Sequence, residues 1–208
     1  MNKVCENWQQ AFPTENIGPE FFDEFEMRAK QVGTEIFHVN TIVEAKGILI
    51  DFVKSENIKN VVAVDCPLQQ AASTNDALQA LGIEVHTDFN GVRVHSETAD
   101  LGISGAEFGI AESGSVCVDS QSLESRLVSG MTPAHVVFLN SRNIVKGIAD
   151  AMTTVSKVFD RGYVNFITGP SRTADIERVL TIGVSGPSRF IVIAVDEQID
   201  GGVSLWTN

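Results

Sequence analysis

The chain alternates between helical stripes of apolar residues and short, continuous apolar runs. The segment "FFDEFEMRAKQVG" has apolar residues three or four positions apart, which predicts a helix that ends at Gly33. Thr41 and Glu44 have the spacing of a capping box before a second stripe. Ser73 and Asp76 are placed to cap a short helix that stops at Gly82. The stripes are Phe22, Phe25, Ala29 and Val32; Ile42, Ala45, Leu49 and Phe52; and, in a later helix, Ile148, Met152, Val155 and Phe159.

Apolar runs bounded by polar residues predict the strands. "TEIFHV" and "IEVHT" are two short strand candidates, and the longer runs have the composition of buried parallel strands. These runs are "VVAVD" at 61–65, "SVCVD" at 115–119, "AHVVFLN" at 134–140, "YVNFIT" at 163–168 and "RFIVIAV" at 189–195. Because strands alternate with helices, we expect an α/β fold in which a mostly parallel sheet is flanked by helices.

The domain boundary follows from the chain breakers near the start. Pro13, Gly18 and Pro19 interrupt any regular element, so residues 1–18 are expected to be irregular. We predict a single α/β domain over residues 19–208 with a helical N-terminal extension.

The net charge and the positions of the cysteines limit which partners, cofactors and cellular compartment fit the chain. A formal net charge of −12 over 208 residues disfavours nucleic acid and anionic membranes. Cys5, Cys66 and Cys117 are widely spaced and form no C-x-x-C, which argues against a disulfide framework, a zinc finger and a self-contained iron–sulfur site, and we predict no metal site. The reducing cytoplasm fits best. No secretory signal and no apolar run long enough to span a bilayer is visible.

The stretch "ITGPSRTADIE" at 167–177 predicts a binding loop. If "YVNFIT" is a central strand, the loop 168–175 lies at its carboxyl end, where ligands bind in open α/β sheets. "ADIERVL" then begins a helix whose first N–H groups can hold an anion. The residues of the loop that we expect to bind are Thr168, Gly169, Ser171, Arg172, Thr173 and Asp175. The alternative is that Ser171 or Thr173 caps the helix while Arg172 pairs with Asp175.

A second candidate is the glycine-rich segment "GISGAEFGIAESGSVCVDS" at 102–120. Its glycines, among them Gly105, permit close backbone approach, and it carries Glu107 and Glu112. The spacing is not a nucleotide fingerprint. Glu112 is a candidate acid, base or nucleophile, and the plainer alternative is a solvated residue on a turn. His135 in its apolar strand is expected to be a hydrogen-bonded structural residue, and Cys117 a core residue.

The segments "GISGAEFGIAESGS", "PAHVVFL", "TGPSRTADIERVLTIGVSGP" and "RFIVIAV" resemble the lactate-utilisation (LUD) domain family, and in length and layout its protein C branch. The resemblance runs from about residue 100 to the end, whereas the N-terminal half agrees only in layout. It implies a fold of the sugar-phosphate isomerase, deaminase and CoA-transferase class (NagB/RpiA/CoA transferase-like), to which formyltetrahydrofolate cyclo-ligase is also related. It further implies oxidation of L-lactate to pyruvate with two partner proteins that carry iron–sulfur clusters.

The resemblance also bears on two single positions. Glu112 lies in "AESGS", which matches a family motif of Ala-Glu followed by Ser or Thr, then Gly, then Ser or Thr. The match favours a functional role for Glu112, because related CoA-transferases use a glutamate near a glycine. Ser185 stands where the family usually has histidine, reading "GVSGP" for "GVHGP". Any acid–base role of that histidine is therefore in doubt for this chain.

Three hypotheses result. The first is a subunit of a cytoplasmic L-lactate utilisation system, without a cofactor of its own, in which the loop 168–175 and the segment 104–115 line one pocket for a small anion. The second is a free-standing enzyme of the CoA-transferase, isomerase or cyclo-ligase class that depends on Glu112. The third is a docking scaffold with an empty pocket. Assembly into a homo-oligomer stays open.

Overall fold

The computed structural model describes residues 3–158, 162–174, 180–183 and 186–199. Its strands are β1 (Glu35–Val39), β2 (Asn60–Ala63), β3 (Glu84–His86), β4 (Leu101–Gly105), β5 (Phe108–Ile110), β6 (Ser115–Asp119), β7 (Ala134–Asn140), β8 (Ile144–Val145), β9 (Val164–Ile167), β10 (Arg172–Ala174), β11 (Leu180–Ile182) and β12 (Arg189–Val195). Its helices are α1 (Phe22–Gln31), α2 (Ile42–Ser55), α3 (Pro67–Ala72), α4 (Thr74–Ala80), α5 (Phe89–His95), α6 (Leu123–Met131) and α7 (Ile148–Val158). Short 3-10 turns form at Trp8–Ala11 and Pro19–Phe21.

Six strands form a parallel sheet in the order β1-β12-β7-β4-β2-β3. All five neighbouring pairs are parallel, and β7 lies between β4 and β12 with Val136 opposite both Ile103 and Ile191. The expected α/β fold with a mostly parallel sheet is confirmed. Because the strands run the same way, their carboxyl ends meet at one edge, which is where β4 and β7 deliver Gly105 and Asn140.

Helices α2, α3 and α4 cover one face of this sheet. Leu49 of α2 and Leu78 of α4 are fully buried in the same apolar cluster as Ile103 and Phe138 of the sheet. Burying such a side chain contributes about 1.5–3 kcal/mol, so these contacts fix the helices on the sheet. The capping box at Thr41 and Glu44 is formed, as the spacing predicted.

The other face is covered by two different structures. Helix α5 packs over β2 and helix α6 over β4, and Val62, Val92 and Val128 share one apolar cluster there. Over β7 and β12 lie α1 and a second, four-stranded sheet in the order β8-β5-β6-β9. The predicted buried face of α1 is confirmed at Phe22 and Phe25.

The second sheet corrects the assignment of two strands. "SVCVD" and "YVNFIT" were expected in the parallel sheet, but they form β6 and β9, which pair antiparallel to each other. Strand β6 is buried on both faces, since Val116 and Val118 face the parallel sheet while Cys117 faces α7. A buried antiparallel strand between two layers has the same continuous apolar pattern as a parallel strand. Strand β9 is an edge strand, so its end is not a switch point of the parallel sheet.

Two helix predictions are correct only in part. Ser73 is the N-cap residue of α4, but its side chain makes no capping hydrogen bond, and the same residue ends α3 in the left-handed region with φ of 50°. The stripe predicted for α7 is displaced, since Ile148 and Met152 are each 46% exposed while Ala151 and Thr154 are buried. The Thr154 hydroxyl donates to the Asp150 carbonyl, which makes its burial possible. Phe159 lies outside the described residues.

The helix expected to begin with "ADIERVL" does not begin there. Ala174 pairs with Leu180 in the antiparallel hairpin of β10 and β11. Residues 175–179, between these strands, lie outside the described residues.

Candidate functional site

A cavity of about 200 Å³ opens at the carboxyl ends of β4 and β7. This edge of an open α/β sheet is where such folds bind ligands. The cavity is smaller than the roughly 300–1,000 Å³ typical of sites for drug-sized ligands, so its size suits a small metabolite. Polar side chains contribute much of its wall, among them Lys3, Asp65, Ser104, Glu107, Asp119 and Asn140.

Residues 3–12, which we call the N-terminal strap, form one wall of the cavity. Asp119, the last residue of β6, holds the strap through its Oδ2 atom. This atom accepts the N–H of Val4 at 2.8 Å, the N–H of Cys5 at 3.3 Å and the indole N–H of Trp8 at 3.1 Å. Trp8 is 4% exposed, and its ring centroid lies 6.1 Å from that of Phe108. One buried carboxylate therefore fixes the strap over the cavity.

Glu107 places a largely buried carboxylate in this cavity. Its backbone N–H donates to the Cys117 carbonyl at 2.8 Å, which places it in the connection between β4 and β5. Its side chain is 19% exposed, and the nearest cation is Lys3, with 3.6 Å between Nζ and Oε1. Burial raises the pKa of Glu107 to about 7, because it outweighs the attraction of Lys3 and the Asp119 charge adds to it. Glu107 is therefore present in both protonation states near neutral pH, as a general acid or base requires.

Lys3 supplies positive charge to the same cavity. Burial lowers the pKa of Lys3, but the nearby carboxylates of Glu107 and Asp119 raise it more, so the net shift is upward. The ammonium group therefore stays charged at neutral pH. It can bind a carboxylate of a ligand that enters the cavity.

Gly105 is the predicted site residue that lines this cavity. A Cβ at this position would lie 2.5 Å from the Cβ of Cys66, so only glycine allows the end of β4 to pass the start of α3. Burial raises the pKa of the Cys66 thiol to about 12, so it is not a thiolate at neutral pH. Since the thiolate is the reactive form, Cys66 shapes the cavity rather than acting as a nucleophile.

The loop that begins at Thr168 packs elsewhere. The Thr168 hydroxyl lies 2.6 Å from that of Ser115, which in turn lies 2.8 Å from Ser113. Gly169 has φ of 72°, and a Cβ there would lie 2.6 Å from the Val32 carbonyl oxygen. The backbone N–H of Ser171 donates to the Pro187 carbonyl at 2.8 Å.

Arg172 has a structural partner. Its Nη2 donates to the carbonyl of Val32 at 2.6 Å. Val32 is the C-cap of α1, and a cation stabilises the carbonyl groups at a helix C-terminus. Arg172 thus joins the loop to α1.

The remaining predicted residues of this loop are described only in part. Thr173 pairs with Thr181 in the hairpin of β10 and β11. Asp175 and Ser185 lie outside the described residues.

The structure therefore separates the two regions that were expected to form one pocket. Thr168 contacts Ser115, the first residue of β6, whereas the cavity is lined by Asp119, the last. A strand of this length separates its two ends by about 13 Å. Segment 104–115 is divided in the same way, with Ser104 to Glu107 at the cavity and Ser113 to Ser115 at the loop.

Glu112 does not line the cavity. Its Oε2 accepts the backbone N–H of Ile148 at 2.9 Å, at the first turn of α7, and its own N–H donates to the Lys146 carbonyl at 3.1 Å. A carboxylate in this position satisfies a free N–H group of the helix and interacts favourably with its dipole.

We expect Glu112→Ala to lower the free energy of unfolding by about 1 kcal/mol, the usual loss for a helix cap. Urea denaturation at neutral pH measures this loss. Glu15→Ala is the control, because Glu15 is exposed. If Glu112→Ala leaves stability unchanged but abolishes ligand binding, the capping role is wrong.

Sequence reasoning did not single out Lys3, Ser104, Glu107 or Asp119 as site residues. One signal was present, since Glu107 follows the end of a strand of the parallel sheet by two residues. The contribution of Lys3 had no signal, because it depends on the strap folding back onto β6.

Among the described residues, no three His, Cys, Asp or Glu side chains lie close enough together to hold a metal ion, and the absence of a metal site stays a prediction. Within the same residues, no helix has both the length and the apolar character needed to cross a bilayer.

The fold and the cavity define a class, an α/β domain with a small polar cavity at the carboxyl edge of a parallel sheet. Within that class, the chain belongs to the LUD domain family, whose sequence model matches residues 22–195. The resemblance seen from residue 100 onward thus extends through the N-terminal half as far as α1.

Curated relatives share this family. The chain is 35% identical over 108 residues to lactate utilization protein C 1 of Bacillus mycoides, a match that covers 50% of this chain and 46% of the relative. It is 31% identical over 157 residues to lactate utilization protein C of Halalkalibacterium halodurans, covering 72% of this chain and 68% of the relative. The chain spans about half the length of several curated relatives that it matches.

A solved structure supports the fold. A DUF162 family protein from Deinococcus radiodurans superposes with a TM-score of 0.63 at 19% identity, over 85% of this chain and 96% of that protein. At this identity the likeness concerns the fold alone.

Proposed function

We propose that this chain is a component of a lactate-utilisation system and that it binds a small hydroxy acid in the cavity beside Glu107. The names of its relatives support the pathway. The observation that carries the site is Glu107, a largely buried carboxylate with a pKa of about 7 in a cavity of about 200 Å³.

The cavity offers complementary groups for such a ligand. Lys3 provides a cation for the ligand carboxylate, and Glu107 exchanges a proton with the ligand hydroxyl. Of the other lining carboxylates, Asp119 holds the strap, Asp65 accepts from Asn75 at 2.7 Å, and Glu6 is exposed. Lys3 and Glu107 are therefore the groups that we assign to direct contact with the ligand, while the other three carboxylates add negative charge to the wall.

The proposed ligand site is the cavity and not the loop at 168–175, where the sequence led us to expect it. Arg172, the expected anion-binding residue, donates to the Val32 carbonyl, and the loop lies at the far end of β6. Because Glu112 caps α7, we assign the acid–base role to Glu107 in its place. If the chain is a free-standing enzyme, Glu107 is the residue on which that activity depends.

Oxidation of L-lactate requires an electron acceptor, and we propose partner proteins with iron–sulfur clusters for this role. The cysteines of this chain favour that division. Cys117 is fully buried in the core, and burial raises the pKa of its thiol. Cys5 lies in the strap and Cys66 at the start of α3, and both are half-buried thiols. A cytoplasmic location is proposed with the same system.

The test is calorimetric titration of L-lactate into the wild-type protein and Lys3→Met. We expect the wild-type protein to bind and Lys3→Met to bind at least about 10-fold more weakly, because a charge-assisted hydrogen bond contributes roughly 1.5–3 kcal/mol. Lys59→Met is the matched control, since Lys59 is exposed and lies outside the cavity lining. Equal affinity of the wild-type protein and Lys3→Met, or no binding by either, would contradict the proposal.

A further inference from the structure

Ser104 and His135 form a buried pair at the base of the cavity. Strands β4 and β7 are paired with Gly102 opposite His135 and Ser104 opposite Val137, so both side chains lie on the same face of the sheet. The Ser104 hydroxyl lies 2.8 Å from His135 Nε2. Ser104 is 1% exposed and lines the cavity, whereas His135 is fully buried behind it.

His135 is a neutral imidazole with one polar partner. Burial lowers the pKa of His135 to about 3, so the ring carries a single proton at neutral pH. Its Nδ1 atom is buried and has no hydrogen-bond partner among the described residues. The proton is therefore either on Nε2, facing Ser104, or on Nδ1, facing apolar surroundings that include the ring of Phe190.

The cost of an unpaired donor decides between the two tautomers. A proton on Nδ1 would be a buried N–H without an acceptor, which is the rarest kind of unsatisfied group and costs roughly 1–3 kcal/mol. A proton on Nε2 is donated to the Ser104 oxygen, which leaves a lone pair unpaired on Nδ1 and turns the Ser104 hydrogen toward the cavity, where solvent or a ligand can accept it. The Nε2–H tautomer is therefore favoured.

The Nε2–H tautomer determines the hydrogen-bonding role of the Ser104 hydroxyl. Its oxygen accepts from His135, so its own hydrogen must find another acceptor, and none is present among the described residues. We propose that Ser104 is a ligand-binding residue that donates its hydroxyl hydrogen to an acceptor oxygen of the ligand, and that His135 is a positioning residue that directs this hydrogen into the cavity. The inference rests on the proposed use of the cavity as a ligand site and adds a second donor beside Lys3. Together these donors favour a ligand that presents a carboxylate.

The tautomer is measured directly by two-bond nitrogen–proton correlation spectra of the imidazole rings in ¹⁵N-labelled protein, from about pH 5 to pH 8. We expect His135 to carry its proton on Nε2 over this range. His135→Gln identifies the signals by their absence. If that variant does not fold, the other histidines, substituted one by one, identify His135 by elimination; they are His38, His86 and His95. A proton on Nδ1 would overturn the proposal, because the Ser104 hydroxyl would then donate its hydrogen to Nε2 of His135 and not to a ligand.

The second measurement is the affinity for L-lactate. We expect Ser104→Ala to bind about 10-fold more weakly, the loss of one hydrogen bond to a charged group. Ser129→Ala is the control, since its hydroxyl donates to the Ser125 carbonyl within α6 and does not line the cavity. Unchanged affinity of Ser104→Ala overturns the assignment and leaves the proposed function standing. If the wild-type protein binds no L-lactate, the proposed function fails, whereas the tautomer still confirms or overturns the direction of the Ser104 donor.

Discussion

Glu107→Gln is expected to change how folding stability depends on pH. In the folded wild-type protein the pKa of Glu107 is raised from 4.5 to about 7. Between these two values the folded chain holds a proton that the unfolded chain has released, so stability falls as the pH rises through this interval. A difference of this size amounts to about 3 kcal/mol. Glutamine has the same shape and no charge, so the variant lacks this loss.

The measurement is urea denaturation of both proteins at several pH values. Relative to the wild-type protein, Glu107→Gln should become more stable by about 3 kcal/mol between about pH 4.5 and pH 7.5. Glu15→Gln makes the same chemical change at an exposed position and is the matched control. Stability curves for Glu107→Gln and the wild-type protein that run parallel over this range would show that the pKa of Glu107 is not raised.

Asp119→Ala is expected to release the N-terminal strap and to destabilise the protein by about 3 kcal/mol. The substitution removes the acceptor of four N–H groups, three in the strap and that of Gln121, and the Trp8 indole among them is buried. A buried donor left without a partner costs roughly 1–3 kcal/mol, and more where the lost partner was charged. The amide groups of Val4 and Cys5 should then exchange with solvent faster, which hydrogen-exchange NMR detects.

A double-mutant cycle isolates the contact between Asp119 and Trp8. Trp8→Phe keeps an aromatic ring against Phe108 but has no N–H, so Asp119→Ala should cost less in this background than in the wild-type protein. Asp119→Asn, which keeps one acceptor oxygen, should be milder than Asp119→Ala. If the effects of Trp8→Phe and Asp119→Ala on stability simply add, the indole hydrogen bond does not hold the strap.

Much of the parallel sheet could be predicted from the sequence, because its central strands are continuous apolar runs between helices with recognisable ends. Thr41 and Glu44 mark the start of α2 by a purely local pattern. The second sheet could not be predicted in this way. Whether a run such as "SVCVD" pairs parallel or antiparallel depends on its neighbours in space, and Val116 and Cys117 are buried in either arrangement.

The candidate site was harder to predict than the fold, for a related reason. Gly105 was recognised as a point of close approach, and the structure shows that its neighbour is Cys66. The choice between Glu107 and Glu112 could not be made from their spacing. It depends on which carboxylate lies over β4 and which meets the start of α7, and both partners are distant in sequence.

The N-terminal strap lies outside the segment that defines the family, since the match begins at residue 22 and the strap ends at residue 12. The strap nevertheless supplies Lys3 and Trp8 to the cavity wall, while β4 and β7 supply the opposite wall. If the cavity binds the proposed ligand, substitutions in the strap should alter ligand preference without disturbing the sheet. Under the same proposal, ligand preference can diverge between proteins that share this core, and exchanging the strap between two of them tests this.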